Sequence, residues 1–114
     1  MSRTPMEHSQ FVTGVVEDLP ITSSATTSRT LIDNDATRVV IFAFDKGEQL
    51  TEHTASLPVV VQLLDGAMRF QVAGQDTELH PGDCVYLAAG DPHALQALEP
   101  SRLSLVFIQQ SAGA

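Results

Sequence analysis

Pro81-Gly82-Asp83-Cys84-Val85-Tyr86-Leu87-Ala88-Ala89-Gly90-Asp91-Pro92-His93 is the stretch whose reading decides the fold. A Pro-Gly-Asp turn opens it, a short apolar run follows, and Gly-Asp-Pro closes it just before a histidine. Turn residues on both sides of a short run mark a strand. The same grammar occurs upstream, from Gly47-Glu-Gln-Leu-Thr-Glu-His53 to Gly66. His53 lies six residues after Gly47 and thirteen before Gly66, and His93 lies eleven after Gly82 and three after Gly90. Each turn is thus followed by an imidazole within one all-β domain, and two imidazoles are half of a metal site.

Outward from these segments, strands recur with turn signals between them. Thr22–Thr30 reads as an edge strand continuing through Leu31 and Ile32, and Arg38–Phe44 as a β-branched and aromatic strand. Val59–Leu64 is the clearest strand, bounded by Pro58 and Asp65-Gly66, and that Asp-Gly pair predicts a hairpin to Met68–Val72. Thr77–His80, Val85–Leu87, Ala94–Leu98 and Leu103–Ile108 complete the series, whose spacing is that of a sandwich or barrel. Phe11–Val16 is a terminal arm or a first strand. The domain reading is an arm over residues 1–20, a barrel over 21–110 and a tail over 111–114.

The glycine framework resembles the two signature motifs of the cupin superfamily. The first family motif carries two histidines and a glutamate between glycines. On this chain its glycines fall on Gly47 and Gly66 and its first histidine on His53, while Ala55 and Val59 replace the second histidine and the glutamate. In the second motif the glycines fall on Gly82 and Gly90 and the histidine on His93, with Ala88 and Ala97 in place of proline and asparagine. The resemblance spans residues 38–108 and implies a cupin-type antiparallel β-barrel, jelly-roll-like, with a homodimeric assembly. It also implies a barrel metal site for Fe, Mn, Ni or Zn, cations that suit imidazole and carboxylate together. Here only His53 and His93 keep donors, so the expected metal is weakly held or absent.

Composition narrows the partners. The 114-residue chain, 43% apolar, is sized for one domain. Fourteen acidic against six basic residues give a net charge of −8, which argues against nucleic acid and anionic membranes. No apolar run is long enough to cross a bilayer, and Met1–His8 lacks the apolar core of a signal peptide. With Cys84 the single cysteine, the expected location is a reducing cytoplasm.

Alternation from an inward His53 places Thr51 and Ala55 inside, followed by Val59, Val61 and Leu63, with Met68 and Phe70 facing them. The predicted ligand pocket is therefore His53, His93, Val59, Val61, Leu63, Met68 and Phe70, an apolar wall with two polar contacts. Val39–Phe44 and Val59–Leu64 carry apolar residues on both faces, so something must cover the outside, a second subunit being the simplest cover. Cys84 reads as a buried, inert thiol, Asp83 and Asp91 as turn formers, Asp33 and Asp35 as loop carboxylates, and His8 and His80 as solvent-exposed. Three functions follow from this reading: a small-molecule binding or sensing module, a metal-dependent enzyme of dioxygenase or isomerase type, and a structural domain.

Overall fold

The computed structural model describes residues 3–109. Among them the chain forms nine strands and no α-helix: β1 (Thr26–Asp33), β2 (Thr37–Phe44), β3 (Gln49–His53), β4 (Val59–Asp65), β5 (Met68–Val72), β6 (Gln75–Leu79), β7 (Cys84–Leu87), β8 (His93–Ala97) and β9 (Ser101–Ile108). All pairs are antiparallel. They form a five-stranded sheet ordered β1-β2-β9-β4-β7 and a four-stranded sheet ordered β3-β8-β5-β6. From β2 onward the chain crosses between sheets at nearly every connection, as in a jelly roll. The two sheets are not hydrogen-bonded into a closed cylinder.

The core lies between them because each inner face alternates correctly. Val59, Val61 and Leu63 are buried in β4 while Gln62 and Leu64 are exposed. Met68 and Phe70 are buried in β5 with Arg69 exposed between them. Phe44, Leu79, Leu87, Leu95 and Leu103 complete the same cluster.

One expectation is corrected, one open alternative is decided in favour of the arm, and one strand is added. Asp65-Gly66 does not close a hairpin: β4 pairs with β7 and β9, whereas β5 pairs with β6 and β8. The turn is a corner between sheets, which a dipeptide cannot distinguish from a hairpin. Phe11–Val16 forms no strand. Instead the arm runs outside the five-stranded sheet, and its buried Leu19, with Val15 and Ile21, packs on Ile41 and Ala43. Part of the outer face thus has a cover from its own chain. Finally, β3 adds a strand that the series lacked, its residues being mostly polar and exposed.

The turn before β3 is held by Asp45. Its carboxylate accepts the backbone N–H of Ser24 at 2.6 Å and of Lys46 at 2.8 Å. Those bonds hold the carboxyl below the usual carboxylate range. The tail over residues 111–114 lies outside the described residues.

Candidate functional site

His53 ends β3 and His93 begins β8, and the two are direct cross-strand partners. Side chains directly opposite in an antiparallel pair are within contact. The ring centroids are 4.2 Å apart, with an interplanar angle of 64°. The pairing register shifts between Leu50 and His53. Residues three apart should face opposite ways, yet this irregularity lets Leu50 and His53 line the same cavity. Strict alternation had placed Thr51 inside beside His53. It is exposed, on the outer surface with Gln49 and Gln96.

Both rings are oriented by the same local device. His53 Nδ1 lies 2.9 Å from the carbonyl of Thr51, and His93 Nδ1 lies 3.0 Å from the carbonyl of Asp91, each two residues back. A carbonyl oxygen only accepts, so each Nδ1 carries the proton and donates it. The Nε2 atoms of the neutral rings are therefore both lone-pair acceptors, and neither has a hydrogen-bond partner among the described residues. His93 is 6% exposed, whereas His53 is exposed. The expectation of two interior imidazoles therefore holds for His93 alone. His53 touches both the interior and solvent, so the pair stands at a mouth.

Behind the pair is a cavity of about 40 Å³ lined by aliphatic side chains and Phe70. That is far below the several hundred Å³ of an ordinary small-molecule pocket. Of the predicted pocket residues, Val61 and Phe70 line it with the histidines. Val59, Leu63 and Met68 are buried in the surrounding core and are not among the lining residues. The wall also includes Leu50, Leu87, Leu95, Leu103 and Leu105, which the sequence reading left out. Alternation outward from Val85, His93 and Leu103 would have found the last four.

The donor set does not suit a firmly held metal. Ala55 and Val59 offer no lone pair, and among the described residues no group of three or more His, Cys, Asp or Glu converges. Two imidazoles leave a mononuclear ion short of the three protein ligands it normally needs.

The remaining candidates stand apart. Cys84, expected to be buried, is exposed. It pairs with Gln62 on the outer face, while Val85 packs against the core. Asp83 accepts the backbone N–H of His80 at 2.8 Å, the turn-forming role expected of it. His8 and His80 are exposed. Asp33 and Asp35 pair with Arg3. No described helix is long and apolar enough to cross a membrane.

The comparisons agree with this geometry. No curated protein matches the chain. A conserved protein of unknown function from Streptococcus pyogenes is similar at 26% identity, with 98% of each chain covered and a TM-score of 0.80. KdgF from Halomonas sp. is similar at 21% identity over 93% of this chain and 97% of its own, with a TM-score of 0.78. Salicylate 1,2-dioxygenase from Pseudoaminobacter salicylatoxidans matches at 19% identity over 81% of this chain but 27% of its own, with a TM-score of 0.70. The family model described as "Cupin domain" matches residues 40–109, taking in both glycine-framed histidines. With two facing antiparallel sheets and that match over most of its length, the chain belongs to the cupin family.

Proposed function

We propose that this is a small-molecule-binding cupin whose polar contacts are His53 and His93. The observation that carries the reading is the shared tautomer: two Nδ1–H groups tied to carbonyls leave two Nε2 acceptors beside one apolar cavity. Such a pair favours a ligand that presents a hydrogen-bond donor, a hydroxyl or an amine. The cavity admits only that group, so the body of the ligand sits outside, at the exposed face of His53. A cytoplasmic setting fits the single free, exposed cysteine.

The test is a set of small alcohols and amines followed through the imidazole NMR signals. Compounds that bind are expected to shift both rings. His53→Ala and His93→Ala are each expected to weaken binding about tenfold, and the double variant by less than the product, because contacting residues couple. Compounds that shift one ring and leave the other unmoved would end the shared-site reading.

A second reading, a metal-dependent enzyme using a weak two-histidine site, is favoured by the same hydrogen bonds. Metal-ligating histidines commonly donate their other N–H to a carbonyl, which orients the ring and raises its basicity. Two donors would hold Zn, Ni, Mn or Fe loosely, and the fold does not depend on them. Melting curves with and without EDTA are expected to superimpose, with purified protein holding less than one metal per chain. A marked fall in melting temperature on chelation would reveal a ligand outside this pair.

A further inference from the structure

The sandwich is open along one side. β6 ends the four-stranded sheet and β7 ends the five-stranded one, and among the described residues no strand pairing joins them. Only the turn between Leu79 and Cys84 links the two edges. Residues directly opposite across an antiparallel pair share a face, so Leu79 and Thr77 face inward with their partners Met68 and Phe70. Gln75 does the same opposite Val72, which packs on the core. Leu79 is buried, yet Thr77 and Gln75 are exposed. The inner face of a sheet is ordinarily apolar. Two polar, solvent-reached positions in succession mark a place where the interior opens to water.

A cavity of about 300 Å³ occupies this opening. Its floor is apolar, made by Phe70 and Val72 from β5, Leu79 from β6 and Val85 from β7. One wall is polar, because Gln75 and Thr77 stand two strand steps apart on the same face of β6, roughly 7 Å from each other. Cys84 and Tyr86, both exposed, line the mouth. The cavity is separate from the one behind the histidines. Phe70 lines both and is 2% exposed, so its ring is the partition, and no other residue is common to the two.

We propose that this opening is a second ligand site, taking a neutral compound of one or two rings with a hydroxyl, amine or amide on one edge. Size sets the limit on the rings, since pockets for small molecules begin at about 300 Å³ and enclose most of the ligand. Charge complementarity sets the neutrality. The chain carries −8, yet no Asp, Glu, Lys, Arg or His lines this cavity. An ion entering it would lose hydration and find no partner. Hydrogen bonding sets the polar edge: the Gln75 amide and the Thr77 hydroxyl each offer a donor and an acceptor, while the floor beside them offers neither. The Phe70 ring in that floor gives a flat ligand an aromatic partner. Position makes the site independent of the histidine pair, so either reading can fail alone.

The probe is N-phenyl-1-naphthylamine, a neutral aromatic amine with one N–H whose fluorescence rises in apolar surroundings. Titrated into the full chain, it is expected to saturate at one probe per chain. Thr77→Phe fills the cavity from an exposed strand position that suits an aromatic, and should weaken binding about tenfold or more. Gln71→Ala, on the outer face of β5, should leave binding unchanged. Alkylation of Cys84 by iodoacetamide should slow about tenfold at saturating probe, because thiol reactivity follows access. That measurement uses the wild-type chain, so it carries the test whatever Thr77→Phe does to the fold. The imidazole signals of His53 and His93 should stay unmoved. Absence of binding would overturn the proposal, as would binding that Thr77→Phe leaves intact or a Cys84 rate indifferent to the probe. Shifts of both imidazoles without protection of Cys84 would overturn it too, while leaving the histidine site standing.

Discussion

Gly66→Ala is expected to destabilise the protein by roughly 3–5 kcal/mol, a large share of the 5–15 kcal/mol that holds a domain of this size together. Gly66 has φ +90°, a conformation that costs an L-residue about 1–3 kcal/mol. An added Cβ would also meet the Ser101 hydroxyl and the Pro100 carbonyl, and would stand 2.7 Å from Ser101 Cα. Backbone cannot step aside cheaply. Nor can the hydroxyl: fully buried Ser101 Oγ accepts the Ala67 N–H at 3.1 Å and lies within bonding distance of the Ala67 and Glu99 carbonyls. Overpacking of this kind adds about 1–3 kcal/mol. Gly47→Ala is the control, because Gly47 has φ +89° with nothing within 4 Å of an added Cβ. Its loss should be the conformational cost alone, the same ~1–3 kcal/mol assigned to that term at Gly66. Denaturant unfolding of both variants checks the difference, and equal losses would show that the close approach at Ser101 contributes nothing.

That corner also shows where the sequence could and could not be read. Asp65-Gly66 announced a turn, and a turn is there. Whether the chain then pairs back or crosses to another sheet depends on partners far along the sequence, β9 and β7 for one strand and β8 for the other. Strand positions were legible wherever apolar alternation was strong, as in Val59–Leu64 and Met68–Val72. They were not legible in Gln49–His53, where one partly buried leucine among exposed residues leaves no period to detect. The same strand misplaced a site residue. Counting by twos from His53 put Thr51 inside, and the irregularity after Leu50 breaks that count. The histidine pairing was expected from the resemblance to the cupin motifs, whose glycines and histidines fall on Gly47, His53, Gly82, Gly90 and His93. The tautomers were not, since they depend on carbonyls aimed by local backbone at Thr51 and Asp91. Outer-face apolar residues were visible as a surplus in both Val39–Phe44 and Val59–Leu64. Only the structure divides that surplus into a part under Leu19 and a part left open.

Ala55→His is expected to raise affinity for Co²⁺ or Zn²⁺ by about 100-fold or more over the wild-type chain. The estimate is a lower bound by comparison: losing a mere outer-shell partner of a ligating histidine commonly costs about 10–100-fold, and this change adds a whole donor. The position suits it. Ala55 lies two residues after His53 and packs against the core cluster that surrounds the cavity. Its carbonyl accepts the Gly90 N–H at 2.9 Å, which ties it to the turn that carries His93. Three imidazoles on two tethered segments make the three-ligand set that two cannot. Restoring the glutamate as well has a different outcome. Val59 is 2% exposed within the core, so Val59→Glu alone buries a carboxylate at a cost of several kcal/mol. Ala55→His/Val59→Glu should therefore melt lower than Ala55→His without metal and recover when metal is added. Visible absorption on Co²⁺ titration reports coordination directly, and thermal melts report its coupling to folding. If Ala55→His binds Co²⁺ no more tightly than wild type, the Nε2 atoms of His53 and His93 do not face a common point, and the pair cannot act as one site for a metal or for a donor ligand.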